Sequence, residues 1–523
     1  MTRTWQRSAP WIVALAVVLA LPFIARSRDV ASRPADTHAA ERVVVLTPHN
    51  KAVRDELGRG FRDYMARRGR NVEVDWRIPG GSAEISRYLT SEYVASFQRY
   101  WTHELGHAWS WKVAQSFMSA QATAAPDGEA AEARRAFLAS DVSAGVDLLF
   151  GGGSVEHVRH AEAGRLIDSG VVARHPEVFG GAIPEHVGGQ PYWDHAGRWV
   201  GTCLSSFGIC FNRDVLDRLH VDVPTSWEAL ADPRLHGQVA LADPTKSASA
   251  GAIFEVILQT QMQRAGVTEG WARGLRLIRR IAGNARYFTD SSSKVPIDVA
   301  AGDAAVGTCI DYYGRFQGET VATAGRPGRV GYASASGETM INADPIGLLR
   351  GAPHRALAID LIEFIVSEEG QKLWSFRRGT PGGPQQYALR RLPILPVLYE
   401  HRFDDLRADP DENPYEEAQG FTYRPEWTGP LFSTIAFVVR VMCVDAATEL
   451  TDAYGALSAA GFPPEATAAF DDVSAVDHAT ASGPLRAALR SPDPLQEAAW
   501  ARRLLHSFRD GYARAAALAR QGR

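Results

Sequence analysis

The pentapeptide HELGH at positions 103–107 has the residue types and the spacing of a zinc site. Histidines four residues apart lie on one face of a helix, and the glutamate after the first can polarise a zinc-bound water. A zinc metallopeptidase is therefore one interpretation of the chain. It needs a third ligand, for which Glu129 and Glu132 lie at a suitable sequence distance, but no partner motif surrounds either residue. The metzincin continuation is absent from "HELGHAWSWK".

The segment around this motif is predicted to be an amphipathic helix. Phe97, Trp101 and Leu105 fall on its apolar face. His103 and His107 fall on a different face of the same helix. The same pattern is typical of an ordinary surface helix with two solvated histidines. Since no peptidase domain surrounds the motif, we expect a protein without enzymatic activity.

The composition is that of a globular protein large enough for two or three domains. The chain has 523 residues, of which 45% are hydrophobic and 22% are charged, and its net charge of −4 gives no indication of a nucleic-acid partner. Its four cysteines show no paired metal spacing. Cys203 and Cys210 either form a bridge in an exported chain or remain buried thiols.

The N-terminus has the pattern of an export signal. Arg3 and Arg7 precede the apolar run "WIVALAVVLALPFIA" at 11–25, which is short for a membrane span. Residues 1–29 are therefore predicted to be a signal peptide or a signal anchor, and the rest of the chain is expected to work outside the cytoplasm.

Strand and helix patterns alternate along most of the chain. The runs "RVVVLTPHN", "GVDLLFGGGS" and "GDAAVGTCIDYYGRF" each predict a buried strand that ends in a loop or in a pair of tyrosines. Alternation of this kind predicts an α/β fold with function at the carboxyl ends of the strands. On a strand, the side chain of Asp311 would point away from that of Tyr312.

Six segments in order resemble the periplasmic solute-binding proteins of ABC importers, and most closely their ferric-iron-binding group. They are "VLTPHNKAVRDELGRGF", "VDLLFGGG", "GRWVGTCLSSFGICFNRDVL", "PTSWEALADPRLHGQVALADPTKSASAG", "AAGDAAVGTCIDYYGRF" and "AIDLIEFIVSEEGQKLW". The resemblance covers about residues 42–400, excluding 91–140. It implies an α/β, two-lobed, type II periplasmic-binding-protein fold that closes around its ligand.

The resemblance also implies a division of the chain into domains. Lobe 1 is expected to comprise residues 42–200 and 340–400, with a helical insertion at 91–140. Lobe 2 is expected to comprise residues 201–339, and a helical C-terminal extension to comprise residues 401–523. The apolar stretch 431–457 is interrupted by Arg440 and Asp445, so it is expected to pack in a core rather than to span a membrane.

The ligand set of the ferric-iron group maps onto this chain in part. The resemblance implies metal ligands at His49, Tyr312 and Tyr313, because Fe(III) is a hard cation that favours anionic oxygen donors. The group's glutamate is missing, and its position falls in "GGG", most nearly at Gly152. Iron specificity is therefore in question.

The resemblance further implies a synergistic anion bound where loops enter helices. "TKSASAG" at 245–251, "DSSSK" at 290–294 and "PGGSAE" at 79–84 are loops of this kind, and helix N-termini bind anions through free N–H groups. Serines in such loops are equally typical of helix caps. The predicted ligand-binding residues are His49, Gly81, Ser82, Gly152, Thr245, Ser247, Ser249, Ser292, Tyr312 and Tyr313.

The sequence therefore predicts an extracytoplasmic solute-binding component of an ABC transporter. It would capture Fe(III), with a synergistic anion, or a small anionic solute, and would require no cofactor of its own. The expected partners are a permease in the cytoplasmic membrane and the ligand, with no nucleic acid, and the expected state is a monomer. The expected location is the periplasm or the outer face of the cytoplasmic membrane. The alternatives are the zinc metallopeptidase and a sensor ectodomain of the same fold.

Overall fold

The computed structural model describes residues 40–124, 128–491 and 493–522, so the expected export signal at 1–29 lies outside the described residues. The strands are β1 (Glu41–Leu46), β2 (Val72–Arg77), β3 (Leu148–Phe150), β4 (Leu166–Ile167), β5 (His186–Val187), β6 (Gln190–Pro191), β7 (Trp199–Ser205), β8 (Phe207–Asn212), β9 (Val239–Ala242), β10 (Ala285–Thr289), β11 (Val306–Ile310), β12 (Val330–Ser334), β13 (Asn342–Leu349) and β14 (Leu392–Pro393). The longer helices are α1 (Lys51–Ala66), α2 (Ser82–Arg99), α3 (Glu129–Ala139), α4 (Ser154–Glu162), α5 (Arg213–Leu219), α6 (Ala248–Ala265), α7 (Val267–Gly283), α8 (Lys294–Ala301), α9 (Asp311–Thr323), α10 (Arg355–Val366), α11 (Glu368–Ser375), α12 (Phe432–Val439), α13 (Ala447–Ala459), α14 (Pro464–Asp471) and α15 (Pro494–Arg520).

Lobe 1 is built on a mixed sheet with the strand order β14-β7-β13-β3-β1-β2, and β4 pairs with β13. Strands β1, β2 and β3 are parallel, so their carboxyl ends meet at one edge. The β-branched run of β1 is buried on both faces. Val43 and Val45 pack in one core, whereas Val44 and Leu46 pack in a second core on the opposite face. This two-sided burial explains the unbroken apolar pattern.

Lobe 2 is built on a five-stranded sheet with the order β10-β9-β11-β8-β12. Strands β9, β10 and β11 are parallel, while β8 runs antiparallel to β11 and β12. Only Ser206 separates β7 of lobe 1 from β8 of lobe 2, and the chain returns to lobe 1 between β12 and β13. The predicted two-lobed α/β architecture is confirmed.

The four cysteines are free and buried. Cys203 lies on β7 in the lobe 1 sheet, whereas Cys210 lies on β8 in the lobe 2 sheet. A bridge between these two residues, which the sequence left open, is therefore absent. The alternative of buried thiols describes both residues.

The helical insertion between β2 and β3 covers one face of the lobe 1 sheet. The ring of Phe97 stacks on that of Phe117 at 4.5 Å, and Phe137 meets Phe117 edge-on at 5.0 Å. These three rings share a core with Val44 and Leu46 of β1. Aromatic burial of this extent is sufficient to fix the insertion on the sheet.

The C-terminal extension packs on lobe 2 and shares its core. Leu450 of α13 and Tyr512 of α15 lie in the same buried cluster as Trp271 of α7, whose indole N–H donates to the carbonyl of Val476 at 2.8 Å. Among the described residues, one stretch, Pro425–Val444, is long and apolar enough to cross a membrane, and 61% of it is buried within the protein. This burial is that of a core helix.

Truncation of Leu450, which is fully buried between the extension and lobe 2, tests whether they unfold as one unit. Leu450→Ala is expected to lower the free energy of unfolding by about 2–5 kcal/mol, because it removes buried methyl groups and leaves a cavity. In urea denaturation, the unfolding transition of lobe 2 and that of the extension should move together to a lower urea concentration. Leu361→Ala, in the core of lobe 1, is the matched control. An unchanged lobe 2 transition in Leu450→Ala would show that the extension unfolds independently.

Candidate functional site

The HELGH segment does not form the helix that the sequence predicted. Helix α2 ends at Arg99, a single π-helical turn covers Tyr100–Glu104, and Gly106 takes a left-handed φ of 74°. The ring of His107 stacks on that of Trp101 at 4.4 Å, and its Nε2 lies 3.6 Å from Glu132 Oε1.

The prediction that Leu105 lies on the buried face is also wrong, since Leu105 is 39% exposed. Across residues 40–124, 128–491 and 493–522, no group of three or more His, Cys, Asp and Glu side chains is placed to hold a metal ion. The two histidines of the motif do not share one face of a helix, so the local geometry of a zinc peptidase is not formed.

In lobe 1, three predicted residues lie along one edge of the sheet. His49 follows β1, Ser82 follows β2 as the first residue of α2, and Gly152 follows β3. A Cβ added to Gly152 would lie 3.0 Å from Ser82 Oγ, which shows that these two residues are neighbours. The amide of Gly81 donates to Glu84 Oε2 at 3.0 Å, so the helix's own carboxylate caps this N-terminus.

His49 is 6% exposed and its ring is held on several sides. Its Nδ1 lies 2.8 Å from Thr47 Oγ1, and the ring meets Phe150 edge-on at 4.5 Å. A Cβ on Gly151 would approach the ring to 2.7 Å, so only glycine fits beside it. Burial lowers the pKa of His49, although Asp344 opposes the shift, and the ring is therefore neutral at pH 7.

A carboxylate that the sequence analysis missed lies next to this histidine. Gly152 has a φ of 94°, a conformation that L side chains rarely adopt. Instead, Asp344 of β13 places Oδ2 at 3.0 Å from His49 Nε2 and accepts from the amide of Gly153 through Oδ1 at 3.3 Å. A neighbouring strand thus supplies an acidic group beside the glycines.

The guanidinium of Arg391 lies at the centre of these groups. It donates to Asp344 Oδ2 at 2.8 Å and to Ser205 Oγ at 3.1 Å, and its Nη1 lies 3.1 Å from His49 Nε2. The side chain is 1% exposed, and its Nε has no hydrogen-bond partner among the described atoms. Burial alone would raise the pKa of Asp344, but Arg391 and His49 hold it well below its usual range.

The tyrosine pair meets this cluster from lobe 2. Tyr312 and Tyr313 lie in the first turn of α9 and not at the end of a strand, because β11 ends at Ile310. Their ring centroids are 4.3 Å apart, and the guanidinium carbon of Arg391 lies 4.2 Å from the ring centroid of Tyr312. Burial raises the pKa of Tyr312 well above its ordinary value, so its phenol is neutral in this arrangement. Through the contact between Arg391 and Tyr312, the two lobes touch at this point of the cleft.

Asp311 differs most from its predicted environment. It is the first residue of α9 and fully buried, and neither carboxylate oxygen has a hydrogen-bond partner among the described residues. Burial raises its pKa to about 6, against the opposing effect of Arg315 and Arg391. The prediction that Asp311 lies on a strand was wrong, because the residue begins a helix.

The predicted serines form a hydroxyl cluster at another part of the same edge of lobe 2. Ser247 Oγ lies 2.6 Å from Ser292 Oγ and 3.3 Å from Ser249 Oγ, and it also caps α6. Thr245 does not join them, since its hydroxyl donates to Asp243 at 2.7 Å. The loops after β9, β10 and β11 lie at the carboxyl ends of adjacent parallel strands, which places the hydroxyl cluster and the tyrosine pair along one edge.

Sequence reasoning identified elements on both sides of the cleft but missed the charged pair between them. In the sequence, Arg391 stands out only as a charged residue directly before the apolar strand β14. Asp344 stands out only as a charged residue within the otherwise mostly apolar strand β13. Either residue alone is an ordinary strand-end charge. Their pairing depends on β13 and β14 both lying beside β7.

Removal of the carboxylate of Asp344 would leave the buried Arg391 without its counter-ion. Asp344→Asn is expected to lower the free energy of unfolding by about 3–5 kcal/mol, since breaking a buried ion pair leaves an uncompensated charge. Urea denaturation at pH 7 measures this loss. Asp217→Asn, at an exposed position of lobe 2, should change it by less than about 0.5 kcal/mol. Equal effects of the two variants would contradict the importance of the pair.

The buried carboxyl of Asp311 predicts a specific dependence of stability on pH. Its folded pKa of about 6 exceeds the unfolded value of 3.8, so this group makes the native state less stable as the pH rises from about 4 to 7. Asp311→Asn removes the effect. As the pH rises from about 4 to 7, the free energy of unfolding of the variant should therefore increase relative to that of the wild type, by up to about 3 kcal/mol. Paired urea denaturation at pH 4.5 and 7.5, with Asp411→Asn as the exposed control, measures the difference. A pH-independent difference would contradict the predicted protonation state.

Parts of the chain are similar to known proteins. Residues 146–394 match the family described as bacterial extracellular solute-binding protein. A phosphoglycerate transport regulatory protein, PgtC, of Salmonella typhimurium is 23% identical over 176 residues, which are 33% of this chain and 40% of the relative. Iron uptake protein A2 of Synechocystis is 26% identical over 225 residues, which are 41% of this chain and 59% of the relative. The chain thus spans less than two thirds of these curated relatives.

Similar solved structures include iron-bound HitA from Pseudomonas aeruginosa, at 15% identity and a TM-score of 0.48 over 76% of this chain and 99% of that one. AfuA from Actinobacillus pleuropneumoniae with bound fructose-6-phosphate is also 15% identical, with a TM-score of 0.46 over 78% of this chain and 99% of that one. The matched family is one of binding proteins, in agreement with the expectation that the chain is not an enzyme. The segment 146–394, which contains β3 to β14 and is just under half of the chain, is thus similar to bacterial extracellular solute-binding proteins.

Proposed function

We propose that this protein captures a small anionic solute between its lobes, outside the cytoplasm, and delivers it to an ABC permease. The observation that carries the proposal is the position of Arg391. Its guanidinium is buried among His49, Asp344 and Tyr312, where it provides a fixed positive charge that faces lobe 2. A planar guanidinium with a free Nε is suited to phosphate and carboxylate groups.

The opposite side of the cleft supports the same ligand class. The hydroxyls of Ser247, Ser249 and Ser292 lie at the N-terminus of α6 in lobe 2, while Ser82 lies at the N-terminus of α2 on the same side as Arg391. Hydroxyls and helix N-termini together stabilise oxyanions. The relative PgtC is named a phosphoglycerate transport regulatory protein, and phosphoglycerate is a solute of this chemistry. We therefore propose phosphorylated or carboxylated small molecules as ligands, bound by His49, Ser82, Arg391, Tyr312 and the serine cluster.

Fe(III) is the second candidate, because Asp344 supplies a carboxylate beside His49 and Tyr312. These side chains, with Tyr313, form a set of hard donors, and one relative is named an iron uptake protein. However, Arg391 occupies the space between the donors. A trivalent ion about 4 Å from a guanidinium would be repelled by about 12 kcal/mol at an effective dielectric constant of about 20. Asp344 offsets part of this repulsion, and displacement of Arg391 or binding of an anion would offset the rest.

The expected extracytoplasmic location, the permease partner and the monomeric state remain part of this proposal. They follow from the predicted export signal at 1–29 and from the family of the matched segment. Function in this scheme is capture and release through lobe closure, without covalent chemistry.

Titration calorimetry and thermal shift of the purified protein test the proposal with 3-phosphoglycerate, inorganic phosphate, citrate and ferric citrate as probes. At least one of the first three is expected to bind the wild type. Because Arg391 carries the charge recognition, Arg391→Gln should weaken that binding by at least about 100-fold, and Ser247→Ala with Ser292→Ala by about tenfold. Arg62→Gln, at an exposed position, is the matched control.

Circular dichroism of each variant would verify that it is folded. A visible absorption band with ferric citrate that is lost in Tyr312→Phe, without binding of the iron-free anions, would replace this proposal by Fe(III) capture. Binding of none of the four probes, or equal binding by Arg391→Gln and the wild type, would contradict anion capture through Arg391.

A further inference from the structure

The segment that leaves lobe 1 after β14 first remains attached to that lobe. The amide of Ala408 donates to the carbonyl of Ser375 at 2.8 Å, and Arg377 Nε donates to the carbonyl of Arg407 at 2.9 Å. Phe376 and Arg407 also form an isolated antiparallel bridge. These main-chain contacts fix the start of the C-terminal extension to the end of α11.

The same segment then reaches lobe 2. Glu412 forms an ion pair with Arg315 of α9, with Oε2 and Nη2 2.8 Å apart. Five residues further on, Glu417 Oε2 accepts from Ser334 Oγ of β12 at 2.9 Å. Residues 404–417, here called the interlobe strap, therefore contact both lobes outside the two segments that join the sheets.

Arg390 strengthens this connection from lobe 1. Its Nε donates to Asp409 Oδ2 of the strap at 3.1 Å, and its Nη1 donates to Glu319 Oε2 of α9 at 2.9 Å. Arg390 has a φ of 51°, which is unusual for a residue other than glycine. Its backbone position is thus held by its surroundings, and one side chain joins lobe 1, the strap and lobe 2.

The strap acts on the helix that carries the tyrosine pair. Arg315 lies one helical turn beyond Asp311 and is 5% exposed, so its charge is enclosed where strap and helix meet. The ring of Tyr332 lies 5.2 Å from its guanidinium. A displacement of α9 away from lobe 1 would separate Tyr312 from Arg391 and would also break the contacts of Arg315 and Glu319 with the strap and Arg390.

Acidic and basic side chains of α9, Arg390 and the interlobe strap form one cluster. The groups that face one another are Asp311, Arg315, Glu319, Arg390, Asp409, Glu412 and Glu417. Burial and the neighbouring Glu412 raise the pKa of Glu417 to about 8, so it is mainly protonated at pH 7 and does not repel Glu412. The remaining ionised groups are four carboxylates and two guanidiniums, so Arg315 and Arg390 each have carboxylate partners.

We propose that the interlobe strap holds the two lobes closed by fixing α9 to lobe 1 through the Arg315–Glu412 and Arg390–Asp409 ion pairs. The strap thereby sets the fraction of closed molecules before ligand arrives. Its effect on affinity rests on the proposed function, whereas its effect on lobe separation does not. The apparent affinity for ligand falls in proportion to the fraction of molecules that are closed. Weakening the strap therefore weakens capture, although no residue of the ligand site is changed.

Distance measurements between two spin labels test the strap in the absence of ligand. Because the native cysteines are buried, Ala95→Cys on α2 and Asp217→Cys on α5 provide exposed labelling positions on the two lobes. In the labelled protein, Glu412→Gln with Asp409→Asn should raise the ratio of open to closed molecules by about tenfold. Arg315→Gln should act in the same direction from the other side of the ion pair.

Glu400→Gln, which neutralises an exposed carboxylate just before the strap, is the matched control and should leave the distance distribution unchanged. Urea denaturation identifies any variant that is merely unfolded, and the conservative Arg315→Lys should recover part of the closed population. A distribution in Glu412→Gln/Asp409→Asn that matches both the wild type and Glu400→Gln would overturn the proposal. Since no ligand is added, that outcome is independent of whether anion capture is correct.

Discussion

The ion pair between Arg391 and Asp344 is the interaction on which the cleft depends. Two opposite charges are buried where the lobe 1 sheet meets lobe 2, and neither is stable there alone because desolvation of a single ion costs several kcal/mol. The pair orients His49 on one side and faces the ring of Tyr312 on the other. The contact between the lobes therefore places a neutral phenol from α9 against a charged pair of lobe 1.

In the proposed function, this arrangement favours one of the two ligand classes that the sequence analysis left open. Donors for a hard metal ion are present, but a guanidinium occupies the space between them. The positive charge of that guanidinium would repel a trivalent cation, and the neighbouring carboxylate of Asp344 would offset part of this repulsion. The same charge attracts phosphate or carboxylate groups, and the serine hydroxyls along the edge of lobe 2 are chemically compatible with them.

The C-terminal extension has two distinct connections to the binding fold. Its helices share a core with α6 and α7 of lobe 2, through residues such as Leu450 and Tyr512. The interlobe strap that precedes them contacts lobe 1 through main-chain hydrogen bonds and lobe 2 through Arg315. Addition of helices to one lobe alone would leave hinge motion free, whereas a segment attached to both lobes restrains it.

Local patterns predicted the fold well and the site only in part. The β-branched run of β1 and the glycines after β3 predicted strands with functional loops, and the structure places His49, Ser82 and Gly152 along one edge. HELGH, in contrast, matched a local spacing but does not form a continuous helix, because the chain leaves the helix after Glu104 and Gly106 turns it back. A motif predicts chemistry only where the backbone continues the geometry that the motif assumes.

The amino-acid sequence by itself determined the alternation of strands and helices and the loops that follow the strands. Those features depend on periodicity and on turn residues, which act over a few positions along the chain. Only the tertiary structure brought Asp344 and Arg391, 47 residues apart, to the same point beside His49, and placed Glu412 against Arg315. Burial removes such charges from water and makes their pairing decisive, and burial is a property of the assembled lobes rather than of any local segment.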